Sequence, residues 1–221
     1  MLLKLTWMLG LAVIPGFAST ILYQGTFAED DDVALFQIDI PEPQVVTIES
    51  WGYAGGEAFT LPSPTFIPEG GFAPNMILFD PTGNEIAADA GGHCDITATD
   101  SVTGDCDDSY IQETLGPGIY TAALVEYDNG PADGFLPDGF TDDGSPGFTC
   151  AEFGLTGNFC DVTTASGTER DGDYAVSVIT TDIVPTPEPA TFSLFCLAGC
   201  VFASQFFSRR RLNRIALGES R

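Results

Sequence analysis

Residues 75–84 read Asn75-Met76-Ile77-Leu78-Phe79-Asp80-Pro81-Thr82-Gly83-Asn84. The first five are apolar without alternation after Asn75, too short for a helix of ordinary length, and bounded at once by turn chemistry. Pro81 fixes φ, Gly83 is free to take a positive φ, and Asp80 and Asn84 can bond their own backbone. This is a strand buried on both faces and ended by a tight turn, which places it inside a sheet rather than at its edge.

Similar short runs lie on either side, at 21–27, 33–40, 44–53, 85–89, 109–115, 119–127 and 173–180. In the run 33–40, Ala34, Phe36, Ile38 and Ile40 share one face while Gln37 and Asp39 take the other. In the last run Tyr174, Val176 and Val178 share a face. Period-2 alternation of this kind marks strands wet on one side. About eight strands joined by Gly, Pro, Asn and Asp turns, with no long 3.6-residue period, predict an all-β domain: a jelly-roll-like two-sheet sandwich.

Composition sets the setting for that domain. The chain has 221 residues, 32 acids, 7 Lys and Arg and a formal charge of −25, with 44% hydrophobic residues. That apolar share excludes wholesale disorder. The excess of acid excludes nucleic acid as a partner, since phosphates repel it. Six of the seven bases lie near the ends, so residues 19–189 hold 31 acids and one base, Arg170, a formal charge of 1 − 31 = −30.

The ends read as addresses. Residues 1–18 open with Met1-Leu2-Leu3-Lys4, run apolar through 5–14, break at Pro15-Gly16 and close on Phe17-Ala18. This is the pattern of a secretory signal peptide cut after Ala18 by signal peptidase. Residues 190–207 carry no charge and would reach about 27 Å as a helix, near the thickness of a bilayer core. Arg209, Arg210 and Arg211 follow and would hold that side in the cytoplasm, leaving residues 19–182 outside. The expected order is signal peptide 1–18, ectodomain 19–182, linker 183–189, a single transmembrane helix 190–207 and a basic tail 208–221.

Immediately before the apolar stretch stand Pro187-Glu188-Pro189. Pro-Glu-Pro, an apolar span and a terminal arginine cluster, in that order, resemble the bacterial PEP-CTERM sorting signal. The isolated Pro41-Glu42-Pro43 has no such context. The resemblance implies an exosortase as processing partner and a destination in the cell envelope or exopolysaccharide matrix. The prolines keep the segment extended, which suits an enzyme gripping it at the membrane surface.

The ectodomain also resembles the bacterial pre-peptidase C-terminal family. The matching residues are Asp31-Asp32-Val33-Ala34-Leu35-Phe36, the stretch from Pro74 through Gly83, Gly118-Ile119-Tyr120 and Gly172-Asp173-Tyr174-Ala175-Val176-Ser177-Val178. Insertions at 54–73 and 129–171 depart from the compact family pattern. The resemblance implies a small β-sandwich that binds or supports without catalysing, sometimes with calcium.

Four cysteines, Cys94, Cys106, Cys150 and Cys160, lie in the exported region and predict disulfides. Three pairings are open. The local ones, Cys94–Cys106 and Cys150–Cys160, are favoured because each would pin a Gly/Asp-rich loop poor in apolar residues. Zinc is disfavoured by the absence of a C-x-x-C pair and the presence of one histidine, His93.

The acids cluster, and crowded carboxylates repel unless solvated or bridged by a cation. No cofactor is required, but calcium is a possible bridge, with Asp31, Asp32, Asp89 and Asp128 as candidate ligands. A hydrated acidic surface is the competing reading. No catalytic residue is assigned: His93 stands beside a disulfide cysteine with no G-x-S-x-G elbow, and no phosphate loop leads into a helix. Paired acids of a secreted hydrolase are the alternative, uninformative in so acidic a chain. Trp51, Tyr53, Phe59, Phe66 and Phe72 are candidate contacts to the rings of an exopolysaccharide, and packing over a sheet edge is the equal alternative.

Overall fold

The structure is a computed structural model, and it describes residues 18–58, 63–163 and 167–182. The signal peptide, Pro187-Glu188-Pro189, the apolar span 190–207 and Arg209–Arg211 lie outside the described residues. Among the described residues no helix is long and apolar enough to cross a membrane.

Among the described residues ten strands form in chain order: β1 Ala18–Thr26, β2 Ala34–Ile40, β3 Gln44–Ser50, β4 Gly56–Ala58, β5 Thr65–Ile67, β6 Pro74–Phe79, β7 Glu85–Asp89, β8 Tyr110–Leu115, β9 Gly118–Glu126 and β10 Asp173–Asp182. Eight of them make two four-stranded antiparallel sheets, ordered β1-β10-β3-β8 and β2-β9-β6-β7. β4 and β5 pair separately as a short ribbon. A turn of 3₁₀ helix at Leu136–Asp138 and the helix α1 at Phe148–Glu152 lie in the second insertion.

Alternation decides which side chains meet between the sheets. Phe36, Ile38 and Ile40 of β2, Val46 and Ile48 of β3, and Val176 and Val178 of β10 share one buried cluster with Met76 and Leu78 of β6. β6 is apolar on both faces because Ile77 and Phe79 join a second cluster with Ala123, Val125 and Phe140. Phe140 comes from the insertion 129–171, which thus covers the outer face of the β2-β9-β6-β7 sheet. The other insertion does the same for its sheet: Ala58 and Ile67 of the ribbon pack on Ala175, Leu22 and Trp51. Burying apolar area at about 25 cal/mol per Å² rewards both coverings, so neither insertion is a free loop.

An aromatic stack closes one end of the sandwich. Phe72 lies between Phe27 and Phe159, with centroid separations of 5.1 and 5.6 Å. One ring precedes β2 and the other two belong to the two insertions. Chain approach here is close: a Cβ on Gly71 would come within 2.3 Å of the Asp173 carbonyl oxygen, so no larger residue fits without backbone movement.

The turn after β6 forms as its residues dictate. Asp80 Oδ1 accepts from the Thr82 amide at 2.8 Å, the Thr82 hydroxyl at 2.7 Å and the Asn84 amide at 2.9 Å. These bonds, the Thr82 hydroxyl foremost, hold the carboxyl down to about 2. Gly83 takes φ +91°.

Candidate functional site

Both disulfides form in the local pairing. Cys94 joins Cys106 and Cys150 joins Cys160, with Cα separations of 5.1 and 4.8 Å. The first closes a loop between β7 and β8, and the second ties α1 to a loop within the second insertion.

Between these loops lies a polar node around Arg170. Its Nη1 donates to Asp100 Oδ2 at 3.1 Å, and its Nη2 donates to Asp161 Oδ2 at 3.2 Å. The three side chains are 4%, 0% and 0% exposed. The guanidinium carbon lies over the Tyr53 ring, 3.9 Å from its centroid. The Tyr53 hydroxyl in turn donates to Asp161 Oδ2 at 2.8 Å, and burial pushes this phenol up to about 12. For Asp100, the cost of burial is outweighed by the bond from Arg170 and by bonds from Thr103, so its carboxyl stays below the usual range. Asp100 belongs to the first disulfide loop and Asp161 follows Cys160, so one cation fastens both loops to the turn after β3. The sequence signal for this node was available: a lone base among 31 acids must find partners if it is buried.

Carboxylates crowd next to it. Asp108 is buried and accepts from the Ser50 hydroxyl at 2.8 Å and from the amides of Tyr53 and Ala54 at 3.2 and 2.9 Å. Burial still pushes it up. Glu49 is pushed up to about 7, by burial first and by the charge of Asp108 second. Glu126, fully buried at the end of β9, lies well above the ordinary value for the same leading reason.

Three of the four candidate calcium ligands have hydrogen-bond partners of their own. Asp32 Oδ2 caps its own turn, accepting from the Ala28 and Glu29 amides at 2.7 and 3.1 Å. Asp31 Oδ2 accepts from the Gly144 amide at 3.0 Å. Asp89 sews β7 to β8 by accepting from the Tyr110 amide at 2.7 Å, and it holds His93 Nε2 at 2.7 Å. Asp128 is pushed up by burial and by the charges of Glu152 and Asp142. Among the described residues no group of three or more His, Cys, Asp or Glu side chains is arranged to hold a metal ion. Three of these carboxylates accept from backbone amides, Asp32 within its own turn and Asp31 and Asp89 from other segments.

The aromatic candidates are also redistributed. Tyr53 and Phe72 are buried, and Trp51 is half-buried with its indole N–H donating to Ser177 Oγ at 3.0 Å. Phe66 remains open, at 71% exposure. Phe59 lies outside the described residues. Tyr53, Phe72 and Trp51 thus pack against the body of the sandwich, while Phe66 of the ribbon faces outward.

A half-open groove of about 390 Å³ lies where the ends of β1 and β10 meet the ribbon. Glu69, Asp171 and Asp173 line it with Tyr174, over a floor that includes Gly25 and Gly52. Glu69 accepts from the Ser101 hydroxyl at 2.6 Å, and Asp173 accepts from the Thr26 hydroxyl at 2.5 Å. Such a lining offers acceptors and one aromatic edge, suited to hydroxyl or ammonium groups.

No protein-family model matches the chain, and no curated protein matches it. Among solved structures it is similar to the pre-peptidase C-terminal domain of a collagenase from Bacillus anthracis, with 12% identity and a TM-score of 0.35. The alignment covers 72% of this chain and 89% of that one.

Proposed function

We propose that this chain is an exported, non-catalytic β-sandwich protein of a bacterial envelope or exopolysaccharide matrix. In this reading signal peptidase cuts after Ala18, the span 190–207 holds the chain in the cytoplasmic membrane, and an exosortase cuts near Pro187-Glu188-Pro189. The sandwich then serves as a structural or binding module. The apolar C–H faces of sugar rings suit Phe66 at the ribbon, and the acceptors of the groove suit sugar hydroxyls at the sheet end. Calcium, if bound, would bridge surface acids rather than complete an active site.

The observation that carries the reading is the pairing of all four ectodomain cysteines into two local disulfides. Disulfides of this kind persist in oxidising compartments and are rare in the bacterial cytosol. The ordered motif, apolar span and arginine cluster supply the route. Replacing Pro187, Glu188 and Pro189 together by Ala in the host tests it. The variant is expected to accumulate uncut in the membrane fraction, whereas an unchanged distribution of processed protein would contradict the sorting route.

A further inference from the structure

The two open sides of the sandwich are built differently. On one side β7 and β8 are sewn together, with Asp89 accepting from the Tyr110 amide across the gap between the sheets. On the other, β1 and β2 border a cleft of about 390 Å³ lined by Ser19, Ile21, Ile38, Pro41 and Val178, with Asp39 its one charged side chain. Ile21 is 51% exposed there.

The four edge strands differ in charge as well. β2 carries Asp39, β7 carries Glu85 and Asp89, and β8 carries Glu113. β1, Ala18-Ser19-Thr20-Ile21-Leu22-Tyr23-Gln24-Gly25-Thr26, carries none, and it has no proline. It pairs along all nine residues with β10 in unbroken register, so its outer row of amides and carbonyls is regular. Edges are ordinarily protected by charge, proline, bulges or shortness, and β1 has none of these.

We infer that the β1 edge is a self-association surface, at which β1 of a second copy adds antiparallel and joins two sheets into one of eight strands. A second copy is the occupant the charges favour. β1 is an uncharged edge strand in a region of formal charge −30, so it is where two such anionic chains can approach with least repulsion. A two-fold axis through Leu22, the middle of the strand, sets Ile21 of each copy opposite Tyr23 of the other. Opposed residues of an antiparallel pair share a face, so these side chains would fill the cleft from both sides. This inference stands apart from the sorting route proposed above.

Light scattering of the purified full-length chain in detergent, at low and high salt, tests it. The wild type is expected to dimerise, and more strongly as salt screens the two anionic domains. Ile21→Lys puts an inward charge on the edge and is expected to weaken the dimer about tenfold or more. Ser19→Lys, at an exposed position on the same cleft, does the same should Ile21→Lys fail to fold. Gln112→Lys on the β8 edge leaves association unchanged. A wild type that stays monomeric at all salt concentrations overturns the inference, as does a dimer that both β1 variants retain.

Discussion

The Arg170 guanidinium lies over the ring of Tyr53, 3.9 Å from its centroid, while both side chains bind the same carboxylate oxygen of Asp161. The arrangement is therefore a closed triangle, with Asp100 as a fourth member on the far nitrogen. It ties together three segments that have no strand pairing with one another.

Removing the cation should be costly. Arg170→Met leaves Asp100 and Asp161 buried without their counter-charge, at about 3–5 kcal/mol. The melting midpoint is expected to fall by about 10 °C. Arg170→Lys should recover only part of this, because an ammonium cannot reproduce the fork that reaches two carboxylates. Thermal melting of the three proteins side by side checks the order.

The disulfides act differently, by limiting the unfolded chain. They close separations of 12 and 10 residues, each worth about 3 kcal/mol in the chain-entropy account. Replacing Cys94 and Cys106 by Ala should lower the midpoint while the circular dichroism of the sheets is retained. The sandwich core of β2, β3, β6, β9 and β10 does not include these cysteines.

Most of that core was legible from alternation. All eight long runs became strands; six have a buried face, while β1 and β7, both at sheet edges, are only partly covered. The run 44–53 stops at Ser50 since Gly52 comes against the Asp173 backbone and the chain turns there. The ribbon β4–β5 was not legible, its strands being three residues long, too short for any period to show. Nor was the fate of Tyr53 and Phe72, which depends on where the first insertion folds back. Asp31, Asp32 and Asp89 looked free in sequence, but backbone amides several residues away, or in another segment, claim them.

Glu49 predicts a pH dependence. Its folded value, about 7, lies above the ordinary 4.5, so the native state holds this proton more tightly than the unfolded chain. Its contribution to stability is present below about 4.5 and is lost as pH rises through 7. Glu49→Gln should therefore raise the midpoint at pH 8 and change it little at pH 4. The expected effect is on the order of 1–3 kcal/mol, at about 2–4 °C for each kcal/mol.

Calcium should act as a general counter-ion. With no assembled group of ligands among the described residues, millimolar calcium is expected to raise the midpoint no more than the same concentration of magnesium. A calcium-specific rise would reveal a site that forms only around the ion. Melting scans in each salt, matched for ionic strength, make the comparison.

The intact mass of the mature protein from its host, taken before and after reduction, bears most directly on the claim of export and sorting. The account predicts a chain beginning at Ser19 and ending near Glu188, lighter before reduction by the four hydrogens that two disulfides remove. A full-length chain, Met1 to Arg221, whose mass does not change on reduction would contradict it.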